Sequence, residues 1–259
     1  MILPTTACTD FDSDHFELIS KYNELIDELY KFDTITYNHS LSVKKYIEQY
    51  WSRMGAPQKD VSIYGICAGL HDIGKIDIPI NIINGGKLSN EEFDIIKTHV
   101  NGLKYIEDIK SNKYYNRLRQ AITLHHTSYN DSRGYVATGC KNLTGDNIPE
   151  HVRILTIADI YDALIAERSY KKSYSREAAF GMMISEPRTD PKILLNFMIC
   201  QYEHVPVKYK ETASISAESI TEEYMFRQNL DNKYYNDILN LMKKAKPEVR
   251  QHIEEVLDL

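Results

Sequence analysis

The chain has 259 residues, of which 42% are hydrophobic and 26% charged, and its formal net charge is −6 at pH 7. This composition is typical of a folded protein with a sizeable core, and the acidic balance argues against a protein that coats polymeric nucleic acid, which needs a basic surface. Glycine and proline are scarce, at 11 and 8 residues, which favours long helices over a many-stranded sheet.

The cysteines and the apolar segments bear on the cellular compartment. Four cysteines lie far apart and form no CxxC pair, which indicates free thiols in a reducing environment. No apolar run approaches the ~20 residues that a membrane-spanning helix needs. The acidic N-terminal segment lacks the basic start of a secretory signal. We therefore expect a cytoplasmic protein that works without a membrane.

Apolar residues recur at helical spacing along most of the chain. A capping box at Ser89 and Glu92 marks one helix start, and Pro149 suits the first turn of another. Pro79 and the pair Gly85-Gly86 predict a loop over 75–88, and a polar stretch at 127–147 predicts a long loop of the kind that is usually functional. Helices are predicted over about 14–31, 37–54, 61–70, 89–103, 114–126, 149–167, 175–184, 190–202, 217–230 and 233–257.

Several histidines and one aspartate lie at the ends of predicted apolar helices or on their apolar faces. The pair His71-Asp72 follows ten mostly apolar residues, and His125-His126 ends another helix. His99 lies beside apolar helical neighbours. Asp159 shares a helical face with valine and leucine, where a carboxylate is costly unless it is paired or metal-bound.

Each of these residues also has a structural interpretation when it is taken alone. His99 would be a hydrogen-bonded core residue, and His125-His126 a pair on the surface. Asp159 would form a salt bridge with Arg153 or Arg168. The metal-site hypothesis therefore depends on the whole set and on the order of its members along the chain.

Five motifs occur in order along the chain: NHS at 38–40, LHDIGKIDIP at 70–79, KTHVNG at 97–102, LHH at 124–126 and ILTIADIYDAL at 154–164. Their order resembles the HD-GYP branch of the HD-domain phosphohydrolases over roughly residues 30–200. The resemblance implies an all-α fold: an HD-domain helical bundle over residues 1–204, including an N-terminal helix, with a C-terminal helical extension at 205–259. It also implies a metal-dependent phosphodiesterase.

The resemblance implies a dinuclear metal centre in which Asp72 bridges two divalent ions. Imidazole with carboxylate suits Fe, Mn, Ni or Zn, and the resemblance favours Fe or Mn, with Ni or Zn as alternatives. Such a pair activates water and neutralises charge on the phosphate. One ion would be completed by His39, His71 and Asp159, and the other by His99, His125 and His126.

Basic residues complete the implied site. By resemblance Lys75 acts with Asp72 in catalysis, donating to the scissile phosphate, and it also binds substrate. Arg168 and Lys171 would grip the other phosphate of the substrate. The alternatives are a solvated loop lysine at Lys75, and helix C-terminal capping by Arg168 or Lys171.

The chain departs from the family pattern at two places. Ile35 stands where some members carry a glutamate that recruits a third metal, so we expect two metals. In the signature loop Thr127 replaces a glutamate, Val136 replaces a proline and one residue is added, while Gly134 and Tyr135 remain. This loop is linked in the family to substrate fit, which leaves the nucleotide open.

We therefore expect hydrolysis of a bacterial cyclic dinucleotide, with cyclic di-GMP as the first candidate and cyclic GMP-AMP as the second. One alternative is an HD phosphohydrolase of another nucleotide. Another is a non-catalytic module that binds metal or nucleotide and signals by protein contact. In any of these cases the extension at 205–259 could serve a homodimer or a protein partner.

Two other features are assigned structural roles. His15 lies among polar neighbours in the opening helix and is predicted to be solvated. The stretch KYYNRLR at 113–119 is predicted to pack its tyrosines inward, with a base-stacking platform as the alternative.

Overall fold

The computed structural model describes residues 11–86, 88–131, 133–167, 173–184 and 186–203. Within these residues the chain forms nine α-helices and three 3-10 helices and contains no strand, which confirms the predicted all-α fold. The α-helices are α1 Ser13–Phe32, α2 Thr34–Arg53, α3 Gln58–Gly69, α4 Ile80–Ile83, α5 Asn90–Lys97, α6 Tyr115–Leu124, α7 Glu150–Ile165, α8 Arg176–Ile184 and α9 Pro191–Glu203. The 3-10 helices are Ile73–Asp77, Thr98–Ile109 and Gly145–Asn147.

The helix starts follow local capping chemistry. The capping box is formed as predicted: the Ser89 hydroxyl accepts from the Glu92 N–H at 3.2 Å, and the Glu92 carboxylate accepts from the Ser89 N–H at 2.8 Å. Asp33 caps α2 by accepting from the Thr36 N–H at 2.7 Å. These bonds satisfy backbone donors that a helix start leaves unpaired. The helix α5 begins within one residue of its predicted start, whereas α2 begins three residues before it.

The segment predicted as a continuous loop over 75–88 is partly helical. The 3-10 helix Ile73–Asp77 follows Asp72 directly, and α4 follows Pro79. Proline is compatible with the start of a helix because its missing N–H would have no intrahelical partner there. Pro79 therefore separates two short helical pieces instead of preventing helix altogether.

The described chain forms two compact units, and the first runs to Thr127 and includes Tyr135–Asn142. In this unit α2, α3 and α6 bury an apolar core, and α3 is buried on nearly all sides because its sequence carries few polar residues. Val43 and Ile47 of α2 are buried as predicted, whereas Leu41 and Trp51 are only half-buried. Fully buried members of this core include Val43, Ile63, Ile106, Leu118 and Ile122.

The second unit comprises Ser128–Gly134 and the chain from Leu143 onward. Within it α7, α8 and α9 pack around a cluster of aromatic rings, in which Tyr161 stacks on Phe180 with 4.9 Å between ring centroids. Arg153 of α7 donates to Asp190 at 2.6 Å and to Asp146 at 2.9 Å. The predicted domain end at 204 and the extension at 205–259 lie outside the described residues.

His15 is fully buried, so the prediction that it is solvated was wrong. Its Nε2 atom lies 3.0 Å from the Ser62 hydroxyl, and the Phe11 ring packs against it at 4.6 Å. Burial lowers the pKa of His15, which favours the neutral ring. The inward packing predicted for 113–119 is confirmed, since Tyr114 and Tyr115 are both buried.

None of the helices in the described part of the chain combines the length and the apolar character needed to cross a membrane.

Candidate metal centre

Side chains from four segments of the first unit converge on one buried carboxylate. His39 lies on α2, His71 and Asp72 follow the end of α3, and His99 lies in the 3-10 helix Thr98–Ile109. The pair His125-His126 follows the end of α6. The ligand atoms of His39, His71 and Asp72 lie within 4.8 Å of one another, and the same holds for those of His99, His125 and His126.

Asp72 lies between these two groups and is only 1% exposed. Its Oδ2 atom is 3.5 Å from His39 Nε2 and 3.4 Å from His71 Nε2. Its Oδ1 atom is 3.3 Å from His99 Nε2 and 3.8 Å from His125 Nε2. Each carboxylate oxygen therefore faces a different group of imidazoles, which is the arrangement that a bridging ligand requires.

Backbone carbonyl groups orient three of the imidazoles. The Nδ1 atoms of His71 and His99 each lie 2.6 Å from the carbonyl oxygen three residues earlier, and His125 Nδ1 lies 2.9 Å from the carbonyl four residues earlier. Since a carbonyl only accepts, Nδ1 carries the proton when the ring is neutral. The Nε2 lone pair then lies on the side of Asp72, where a metal ion could accept it. A hydrogen bond from the other ring nitrogen to a carbonyl is typical of metal-binding histidines.

The donor set fits a bound cation. His99 Nε2 and His125 Nε2 lie 3.0 Å apart, so two lone pairs face each other in a buried site. Burial lowers the pKa of His99, and burial together with the neighbouring His126 holds the pKa of His125 well below its usual range. These rings therefore favour the neutral form, which is the form in which histidine binds a metal ion.

The charge of Asp72 is stabilised within the site. Burial alone would raise the pKa of its carboxyl group, but the positive charge of Lys75, with the fields of His71 and His99, holds that pKa well below the usual range. Lys75 Nζ donates to Asp72 Oδ2 at 2.5 Å. The carboxylate is therefore ionised and available as a ligand at neutral pH.

Two glycines for which the sequence predicts no role in the site allow the site to close. A Cβ atom on Gly74 would lie 1.9 Å from the carbonyl oxygen of His99, and one on Gly102 would lie 2.9 Å from the backbone nitrogen of Gly74. The two backbones thus touch, which brings Asp72 and His99 within reach of each other. The only signal in the sequence is that each glycine closely follows a predicted ligand, inside LHDIGK or KTHVNG.

Thr127 has a local structural role at the position where the family pattern has glutamate. It is 1% exposed, and its hydroxyl donates to the carbonyl of Leu124 at 2.7 Å. This bond occupies the carbonyl of Leu124, the last residue of α6, directly before the pair His125-His126. Threonine at this position therefore leaves the last carbonyl of α6 hydrogen-bonded.

The structure thus brings six of the predicted ligands together in the first unit, with Lys75 beside them. Asp159 is half-buried on α7 of the second unit, and its role as a ligand stays a prediction. Arg168 and Lys171 lie outside the described residues, and so do their predicted contacts with substrate.

The helical fold and the histidine–aspartate cluster define an HD domain. The family model for the HD domain matches residues 13–193, so the chain belongs to the HD domain family. This confirms the resemblance recognised in the motifs.

Curated relatives carry related names. The chain is 30% identical over 195 residues to a probable cyclic di-GMP phosphodiesterase of Vibrio cholerae, covering 69% of this chain and 43% of the relative. It is 30% identical over 215 residues to a cyclic di-GMP phosphodiesterase of Thermotoga maritima, covering 81% of this chain and 56% of the relative. A 3'3'-cGAMP-specific phosphodiesterase of Vibrio cholerae is 32% identical over 140 residues, covering 54% of this chain and 26% of the relative. The matched region is therefore about half or less of these longer proteins.

Proposed function

We propose that this chain is a metal-dependent phosphodiesterase that hydrolyses a cyclic dinucleotide, with cyclic di-GMP as the first candidate and cyclic GMP-AMP as the second. The observation that carries the proposal is the position of Asp72, whose two oxygens face separate groups of imidazoles. The names of the relatives supply the substrate class.

Two divalent ions would occupy the centre, with Fe or Mn as the first candidates and Ni or Zn as alternatives. When bound, such a pair supplies an activated water and neutralises charge on the phosphate. The protein's part is to keep Asp72 ionised and to present neutral, oriented imidazoles, which the backbone carbonyls and the buried setting support. The proposed ligands are Asp72, shared by both ions, with His39, His71 and Asp159 on one side and His99, His125 and His126 on the other.

Lys75 would act on the substrate as well as on Asp72. Its Nζ atom has three donors, one of which bonds to Asp72, and its side chain is 23% exposed. A phosphate oxygen brought next to Asp72 would therefore meet a free ammonium donor. In the same proposal Arg168 and Lys171 hold the second phosphate, the guanidinium by a bidentate contact and the ammonium as a point charge.

We expect Lys75→Ala to lower kcat at least about a hundredfold, the usual cost of removing a donor to the developing charge of a transition state. Two metals should still be retained, since the proposed ligands are unchanged and bound cations would themselves keep Asp72 ionised. Lys110→Ala is the matched control, because Lys110 is exposed and pairs with Glu107 at 3.0 Å. Initial rates and metal content of both variants give the comparison, and an unchanged kcat in Lys75→Ala would remove Lys75 from catalysis. A pure binding module would instead keep its nucleotide affinity in this variant and show no turnover in the wild type.

The direct test of the proposed function is anaerobic purification followed by metal analysis and incubation with each nucleotide. We expect about two metals per chain and cleavage of cyclic di-GMP or cyclic GMP-AMP under Fe²⁺ or Mn²⁺. Bound metal with no cleavage of either would favour another nucleotide substrate, tested with nucleoside triphosphates, or the binding module. A protein that takes up no metal would refute the proposal.

A further inference from the structure

The chain that leaves the signature loop returns to the end of α6. The N–H of Tyr135 donates to the carbonyl of His126 at 3.1 Å, and the N–H of Ala137 donates to the carbonyl of Thr123 at 3.1 Å. Thr123 lies in the last turn of α6, and His126 lies two residues after its end. We call residues 135–138 the return segment.

The return segment also bonds to the segment that carries His99. Asn101 accepts the N–H of Thr138 on its side-chain oxygen at 2.8 Å and donates its amide to the carbonyl of Thr98 at 3.1 Å. Asn101 is also the point at which the 3-10 helix Thr98–Ile109 is kinked, with φ −86° and ψ 18°. The return segment therefore joins the two elements that present His99 and His126.

The ring of Tyr135 lies directly on one of the imidazoles. Tyr135 and His126 stack with 4.4 Å between centroids and an interplanar angle of 20°, and the same tyrosine meets His99 edge-on at 6.3 Å and 85°. His126 is half-buried, whereas His99 and His125 are buried. His126, the most exposed imidazole of the group His99, His125 and His126, is thus covered on one face by the ring of Tyr135.

We propose that Tyr135 is a positioning residue that holds the His126 imidazole in the orientation from which it binds a metal ion. The ring performs this role through stacking, which a phenylalanine at this position would keep. Tyr135 then sets the metal affinity of the group His99, His125 and His126 more than that of the group His39, His71 and Asp72, because the imidazoles that its ring meets, His126 and His99, belong to the first group. The inference rests on the proposed function to the extent that both groups bind metal.

The test measures metal affinity independently of turnover. Metal-free protein is titrated with Mn²⁺ against a chelator, and the two dissociation constants are compared among wild type, Tyr135→Phe and Tyr135→Leu. We expect Tyr135→Leu to weaken one of the two sites at least about tenfold, the lower end for residues that orient metal ligands. Tyr135→Phe, which keeps the ring, should match the wild type at both sites. The control is Tyr30→Leu, since Tyr30 is 56% exposed on α1 and its ring meets Tyr37.

The Tm of the metal-free variants separates positioning from a merely structural role. A weakened single site in Tyr135→Leu, with a metal-free Tm close to that of Tyr30→Leu, supports the inference. Two unchanged sites would overturn it, as would equal weakening of both sites together with a lowered metal-free Tm. Wild-type protein that binds Mn²⁺ but cleaves no cyclic dinucleotide would refute the proposed function alone, whereas wild-type protein without metal would refute both.

Discussion

Asp72→Asn is expected to empty the centre of metal and to lower turnover at least about a thousandfold, since several kcal/mol of charge stabilisation are lost with the ions. Asp72 is 1% exposed, and both of its oxygens face imidazole nitrogens. An amide keeps the shape of the side chain but removes the negative charge that two cations would share. The measurements are metals per chain after desalting and initial rates with cyclic di-GMP and cyclic GMP-AMP.

Asp77→Asn provides the matched control for this variant. Asp77 is the last residue of the 3-10 helix Ile73–Asp77, which follows Asp72 directly, and its carboxylate accepts from Lys104 at 2.6 Å and from Tyr105 at 2.9 Å. It is 44% exposed at its side chain and belongs to neither group of ligands. We expect wild-type metal content and rate from Asp77→Asn. Retention of both metals in Asp72→Asn would show that Asp72 is not the shared ligand.

Gly74→Ala is expected to destabilise the fold by about 3 kcal/mol and to remove the metal site with it. The new Cβ atom would lie 1.9 Å from the His99 carbonyl oxygen, and a backbone atom cannot move aside as a flexible side chain can. The two segments must therefore separate, which increases the distance from Asp72 to His99. Denaturant unfolding gives the free energy, and metal content reports on the site.

Gly86→Ala is the control for the loss of a glycine. No heavy atom lies within 4 Å of a Cβ built at Gly86, so we expect a change between neutral and a stabilisation of about 0.4–1 kcal/mol through the unfolded chain. If Gly74→Ala unfolded at the same denaturant concentration as the wild type, the close backbone contact would not be required for the fold. A Gly74→Ala variant that is as stable as the wild type but binds no metal would show that the contact is needed for the metal site and not for the fold.

The helices could be predicted from sequence because the forces that form them are local. The capping box at Ser89 joins residues three positions apart, and the inward positions Val43 and Ile47 follow from the helical repeat. The exceptions also have local causes: Pro79 suits a helix start as well as it breaks a helix, and it directly precedes α4. His15 shows where this reasoning ends, since its contact with Ser62 joins residues 47 positions apart in the chain.

The amino-acid sequence by itself supplied the groups that are able to bind metal, since imidazole and carboxylate side chains recur in ordered motifs, and their role as ligands stays a prediction. Only the tertiary structure decided that the two oxygens of Asp72 face different groups, that Gly74 and Gly102 meet, and that Tyr135 covers His126. These contacts join segments that are distant in the chain. Their geometry depends on how whole helices pack, which no local pattern encodes.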